Sequence, residues 1–160
     1  MDSSGFQTST AFDVTVNPVA DNPELTLPVD DISKYPDSSI DLGLQAALTD
    51  QSELLSVLIS GVPSGVMLSK GTDNGDGTWT LDESQLDGLK LLPDNGYIGD
   101  FQLQITAISK ESGVDETATI SKQVQISIKV LYISGKILYQ NQTDQPVADV
   151  LLSLVGEKSY

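Results

Sequence analysis

Strict alternation of apolar and polar residues is the feature that most limits the folds open to this chain. "FQLQITAIS" (101–109) sets Phe101, Leu103, Ile105 and Ala107 on one side and mostly polar residues on the other. A period of two sends successive side chains to opposite faces of an extended strand, so such a run has one buried face and one wet face. "AFDVTVN" (11–17) repeats the pattern with Phe12, Val14 and Val16, and "VQISIKVLYI" (124–133) keeps it from Val124 to Val130. "SVLISGV" (56–62), "TWTL" (78–81) and "LKLL" (89–92) are further strand candidates, the first ending at a Gly-Val-Pro break and the last at Pro93. Helical periodicity is nearly absent. The one helix-like piece, "DESQLDGL" (82–89), is expected to be a single short turn because Gly88 closes it. Short strands divided by Gly, Pro, Asp and Asn read as an all-β antiparallel sandwich.

The chain has 160 residues, 39% of them hydrophobic, enough for one ordinary domain with flanking pieces. Acidic residues outnumber basic ones 23 to 8, a formal charge of −15. Nucleic acids and anionic membranes are polyanions that need clustered Lys or Arg, so both are disfavoured as partners. Cations are favoured, because surplus carboxylates repel one another in the compact state unless something neutralises them. Calcium, a hard cation that takes oxygen ligands, is the candidate cofactor. The chain has neither Cys nor His. That excludes disulfides, Cys/His zinc sites, thiol nucleophiles and a Ser-His-Asp triad. No apolar run is long enough to span a membrane. Residues 1–20 lack the basic start and apolar middle of an export signal, so a signal is expected outside this stretch if the protein is exported.

Two places look like boundaries. "VNPVADNPEL" (16–25) ends one apolar run, carries two prolines and restarts with apolar residues, as a linker does. The second lies near Leu131–Ser134, before "GKILYQNQTDQPVADVLLSLVG", which reads as strand, polar turn, strand. Two strands alone do not bury a face. Residues 132–160 are therefore expected to start a following β-rich module or to dock on the main one.

"GTDNGDGTWTL" (71–81) admits two readings. Against a calcium EF-hand loop, Thr72, Asn74 and Asp76 fall at positions one, three and five, Gly77 at six and Glu83 at twelve. Position one should be Asp, however, and no helix precedes it. As a hairpin, Asn74-Gly75 and Asp76-Gly77 are dipeptides that readily take positive φ, and Trp79 and Leu81 then face the core from the return strand. Turn chemistry alone accounts for these residues, so the hairpin is the expectation.

The run 54–107 resembles the cadherin-like, Ig-like tandem repeats of large bacterial RTX-type surface adhesins. The resemblance rests on "ISGVPSG" (59–65), "GTDNGDGTWTL", "SQLDGL" (84–89), Pro93 and "GDFQLQITA" (99–107), with "VNPVADNPEL" matching the family's domain joint. It implies a Greek-key β-sandwich over 20–131, preceded by the last strand of a neighbouring repeat and a linker in 1–19. It further implies calcium-stabilised extenders in a tandem array on the bacterial cell surface, where neighbouring repeats are the partners and the chain itself is a monomer. The tail 132–160 departs from the repeat pattern.

The candidate calcium ligands fall in three clusters. Asn17, Asp21 and Asn22 form the joint, where side-chain and backbone oxygens of two domains would meet; the alternative is a turn before Pro23. In "LTDQSELL" (48–55) the chain keeps Asp50, Ser52 and Glu53 of the family's Asp-x-Asp-Gly-Ser-Glu but lacks the second Asp and the Gly, so a weaker site or a solvated turn are both open. The third cluster is Asp100 with Asp115 and Glu116, and the resemblance implies that Asp100 approaches Asp50 and Glu53 where loops converge at one end. Asp30, Asp31 and Asp37 read as a solvated loop, and Asp94-Asn95-Gly96 as a turn. No pair of carboxylates stands out as a glycosidase pair, so no enzyme is expected. The alternative to an extender is a ligand-binding adhesin module for carbohydrate or protein, for which only Trp79 and Tyr97 offer aromatic platforms.

Overall fold

The computed structural model describes residues 10–15 and 17–130. These form strands and a 3-10 turn, with no α-helix among them. The first strands are short: β1 (Glu24–Thr26), β2 (Asp31–Lys34), β3 (Ile40–Asp41) and β4 (Gln45–Ala47). There follow β5 (Leu54–Ser60), β6 (Val66–Leu68), β7 (Thr72–Asp73), β8 (Thr78–Asp82) and β9 (Lys90–Pro93). β10 (Gly99–Lys110) and β11 (Thr117–Ile128) are the longest, 12 residues each.

A six-stranded sheet has the order β2-β11-β10-β5-β8-β7, a three-stranded sheet the order β3-β9-β6, and β1 pairs with β4. Every pairing is antiparallel except that of β2 with β11. β1 and β2 enter different sheets, with the N–H-lacking Pro28 between them. One core fills the space between the sheets. Val57, Ile59, Leu81, Leu103, Ile105 and Ile126 enter it from the large sheet, and Ile40, Val66, Leu68 and Leu91 from the small one. The fold is an all-β sandwich.

Alternation predicts the buried faces of β10 and of the second half of β11, but β11 begins seven residues before the expected 124–133 and ends at Ile128, leaving Lys129 and Val130 in no strand. Leu103, Ile105 and Ala107 are fully buried, and so are Val124, Ile126 and Ile128. The 71–81 stretch is a hairpin: Thr72 pairs with Thr80 and Asp73 with Trp79, and Gly75 and Gly77 have φ of 81° and 80°. "DESQLDGL" is a 3-10 turn over Glu83–Gln85, where Gln85 Oε1 accepts the Asp82 N–H at 3.1 Å and Asp82 Oδ1 accepts the Ser84 hydroxyl at 2.5 Å.

Two expectations change. The described part of 11–17 is in no strand, and Phe12 and Val14 are 80% and 72% exposed. A strand exists only by pairing its backbone groups with a neighbour, and among the described residues this segment has none. The opposite error covers 40–48, where Ile40, Leu42, Leu44, Ala46 and Leu48 alternate and supply β3 and β4. The expected strand past Val130 and the tail 132–160 lie outside the described residues.

Candidate metal site at the linker

The linker is fastened to one end of the sandwich by Glu53, which immediately precedes β5. Glu53 is 4% exposed, the only buried charged residue among those described. Its Oε1 accepts the backbone N–H of Asp21 at 2.6 Å. Its Oε2 is buried with no hydrogen-bond partner. A second hold comes from β10, where the hydroxyl of the fully buried Ser109 donates to the Asp21 carbonyl. Thr49 Oγ1 donates to the Asn22 carbonyl at 3.3 Å, and Pro23 is buried directly after.

The loop before Glu53 is ordered by its own acid. Asp50 Oδ1 accepts the Ser52 N–H and the Ser52 hydroxyl, each at 2.8 Å. These two donors, the backbone one first, hold the Asp50 carboxyl below its ordinary range. The β10–β11 loop joins from the other side, since Ser112 Oγ donates to the Ser52 carbonyl at 2.6 Å. Glu53 also lines an open cleft with Leu48, Leu54, Asp82 and Glu83.

Two of the three predicted clusters therefore lie at the same end of the sandwich, joined through backbone contacts. The Asp21 backbone N–H meets Glu53 and the Asn22 carbonyl meets Thr49, on the same loop that carries Asp50 and Ser52. Asn17 is exposed, upstream of these contacts. Asp115 and Glu116 sit in the loop that reaches this end, but Asp115 is paired with Lys110 Nζ at 3.0 Å, and the Glu116 carbonyl accepts the Glu111 N–H at 3.0 Å.

Asp100 is a correction. Leu54 and Leu55, next to Glu53, pair with Lys110 and Ser109 at the end of β10, whereas Asp100 lies at its start. Nine residues of extended strand separate Asp100 from Ser109, roughly 30 Å. Asp100 belongs to the opposite end of the molecule, where it accepts the Ser127 hydroxyl and lies 3.3 Å from Lys129 Nζ. The Ser127 hydrogen bond leads in holding its carboxyl below the ordinary range, with Lys129 assisting. Asp37, read as solvated, instead accepts the Gly96 N–H at 2.7 Å.

Sequence reasoning missed Ser109 and Ser112. Ser109 was legible, because it continues the inward parity of Phe101, Leu103, Ile105 and Ala107, and a polar residue at a core position needs a partner. Ser112 carried no signal, because any loop tolerates serine.

Among the described residues no three acidic side chains converge closely enough to hold a metal by themselves. A cation at this end needs oxygens of other kinds as well. Calcium accepts them, since backbone carbonyls, amide oxygens and hydroxyls all serve as its ligands. The buried, unpartnered Glu53 Oε2 fits that requirement: a carboxylate oxygen shut away from water without a donor is costly, and a cation offsets the cost. No family model matches the chain, and no curated protein matches it.

Proposed function

We propose that this chain is a calcium-stabilised, cadherin-like extender module of a large bacterial surface adhesin, working outside the cell in a tandem array. The observation that carries the reading is Glu53, buried at 4% exposure with one oxygen on the linker backbone and the other without a partner. Glu53 Oε2 would be the first ligand to the cation, with Asp50, Asp21 and Asn22 as further oxygen donors at the same end and others from the preceding module. The cation supplies charge neutralisation at a joint that carboxylates alone would loosen. Its mechanical consequence is stiffness, because a linker tied at Asp21 to both β5 and β10 moves with the sandwich rather than apart from it. Neither of the two aromatic residues named for the carbohydrate-binding alternative stands as a free platform. Trp79 is 8% exposed, and Tyr97 packs edge-on against Phe101 at 6.2 Å.

The test is the melting temperature of wild type and Glu53→Gln, in EGTA and across a calcium titration. A cation that binds only the folded state raises stability by RT ln(1 + [L]/Kd). Glutamine keeps the acceptor for the Asp21 N–H and removes the buried charge. The variant is expected to melt at or above wild type in EGTA and below it in millimolar calcium. Equal calcium responses in the two proteins would reject Glu53 as a ligand, and no response in wild type would reject the reading as a whole.

A further inference from the structure

The outer edge of β11 is only partly covered. β11 pairs with β10 along all 12 residues, but on its other side β2 meets only Gln125–Ile128. The aim of the remaining backbone groups follows from that short pairing. Gln125 and Lys129 donate their N–H groups outward, to the carbonyls of Asp30 and Lys34. Along a strand, every second residue points its N–H and C=O to the same side. The one-to-one register with β10 has no bulge between Thr117 and Ile128. Thr117, Thr119, Ser121 and Gln123 therefore also present N–H and C=O outward, and among the described residues no strand meets them. The segment "TATISKQ" (117–123) is rich in β-branched residues and holds one lysine and no acid, in a chain of net charge −15.

We propose that this open edge pairs antiparallel with the same edge of a second copy, about a twofold axis at Ile120. That register sets Thr119 opposite Ser121 and Thr117 opposite Gln123. Outward-pointing residues then meet outward-pointing residues, and each such pair exchanges two backbone hydrogen bonds. Lys122 falls opposite Ala118, so no like charges face each other within the seam. Twofold centres at Ala118 or Lys122 fail, because they run the seam into the loop of Glu111–Glu116 or into β2. A second copy suits this edge because the register is self-complementary and because the seven paired positions, 117–123, hold no acid in a chain of net charge −15.

The acids lie just beyond the seam. Asp30 and Asp31 of one copy come close to Asp115 and Glu116 of the other, since Asp31 flanks Gln125, the position opposite Asp115. The seam is also short, well below the area of a permanent dimer. It therefore forms at high protein concentration and tightens as salt screens the flanking acids. Glu53 and the linker take no part, so this pairing stands or falls apart from the calcium reading.

Sedimentation velocity from micromolar to millimolar protein tests it, in EGTA at low and at molar NaCl. The wild-type coefficient is expected to climb towards that of a dimer, and further at high salt. Thr119→Pro deletes an outward N–H and spares the bonds to β10, which use the even-numbered residues. It is expected to stay monomeric with its fold intact by thermal melt. Should the proline disturb the fold, the double variant Thr119→Glu with Ser121→Glu sets acid against acid across the seam and is expected to stay monomeric too. Hydrogen exchange adds a local readout: the Thr119, Ser121 and Gln123 amides gain protection with concentration, while even-numbered amides of β11 are protected throughout. A wild type that stays monomeric at millimolar concentration in molar salt overturns the proposal. So do folded variants that associate as wild type does.

Discussion

Gly61 ends β5 where β10 passes beside it. Its φ is 85°, and a Cβ built there would lie 2.3 Å from the Gln102 carbonyl oxygen. An alanine meets two obstacles at once, an unfavourable left-handed backbone and a collision with a strand that carries the core. Gly75, at the hairpin tip, has nearly the same φ of 81° but nothing within 4 Å of its added Cβ. Gly61→Ala is expected to cost about 2–3 kcal/mol in urea denaturation and Gly75→Ala about 1 kcal/mol, the difference being the collision. Equal losses would mean that the strand gives way freely. Asp37 shows a similar economy with a different residue. Its φ is 64°, unusual outside glycine, while its carboxylate holds the Gly96 N–H, 59 residues away. Asparagine tolerates that backbone and still accepts the bond. Asp37→Ala is expected to cost about 1–2 kcal/mol and Asp37→Asn less than half of that.

The β7–β8 hairpin shows how acids can serve a turn without any metal. Asp73 Oδ1 accepts the Gly75 N–H at 2.8 Å, and Asp76 Oδ1 accepts the Thr78 hydroxyl at 2.6 Å and the Thr78 N–H at 3.0 Å. The Thr78 hydroxyl, then its N–H, hold the Asp76 carboxyl below its ordinary 3.8. A carboxyl with a lowered folded value contributes stability that is complete above the ordinary value and fades as the pH falls through the folded one. Asp76→Asn is therefore expected to melt below wild type near neutrality, and the gap is expected to close as the pH falls below 3.8. A gap that persists in acid would assign the loss to shape rather than charge. Strands such as β10 and β11 were legible because their alternation is long and their faces differ sharply. β3 and β4 were legible too, in Ile40, Leu42, Leu44 and Ala46, but Gly43 at a wet position broke the look of a strand. Residues 11–17 misled, since alternation reports a face ready for burial and not the presence of a neighbour. For the site, residue types were legible and ends were not. Strand direction reverses at every hairpin, so the start of β10 lies far from the start of β5, and sequence spacing alone places Asp100 no better than chance.

At the scale of the molecule the ruling quantity is the net charge of −15. Screening relieves it, the proposed calcium site would relieve it further, and a calcium titration by itself mixes the two. Screening acts on all the carboxylates together and depends only on ionic strength, with a Debye length of about 10 Å at 0.1 M. In EGTA, added NaCl is expected to raise the melting temperature gradually and without saturation, as diffuse repulsion weakens. Site binding behaves otherwise. Calcium at about 1 mM barely alters that screening length, so a rise at that concentration reports binding, and at a hundredfold excess over Kd it amounts to about 2.7 kcal/mol. The rise is expected to saturate, to survive in 0.3 M NaCl (about twice the physiological ionic strength), and to exceed that from magnesium, which demands a tighter octahedral shell and sheds its waters reluctantly. A calcium curve that merges with those of magnesium and NaCl at matched ionic strength would leave Glu53 as a structural strut tying the linker to β5, and the charge as a diffuse surface property with no cation site behind it.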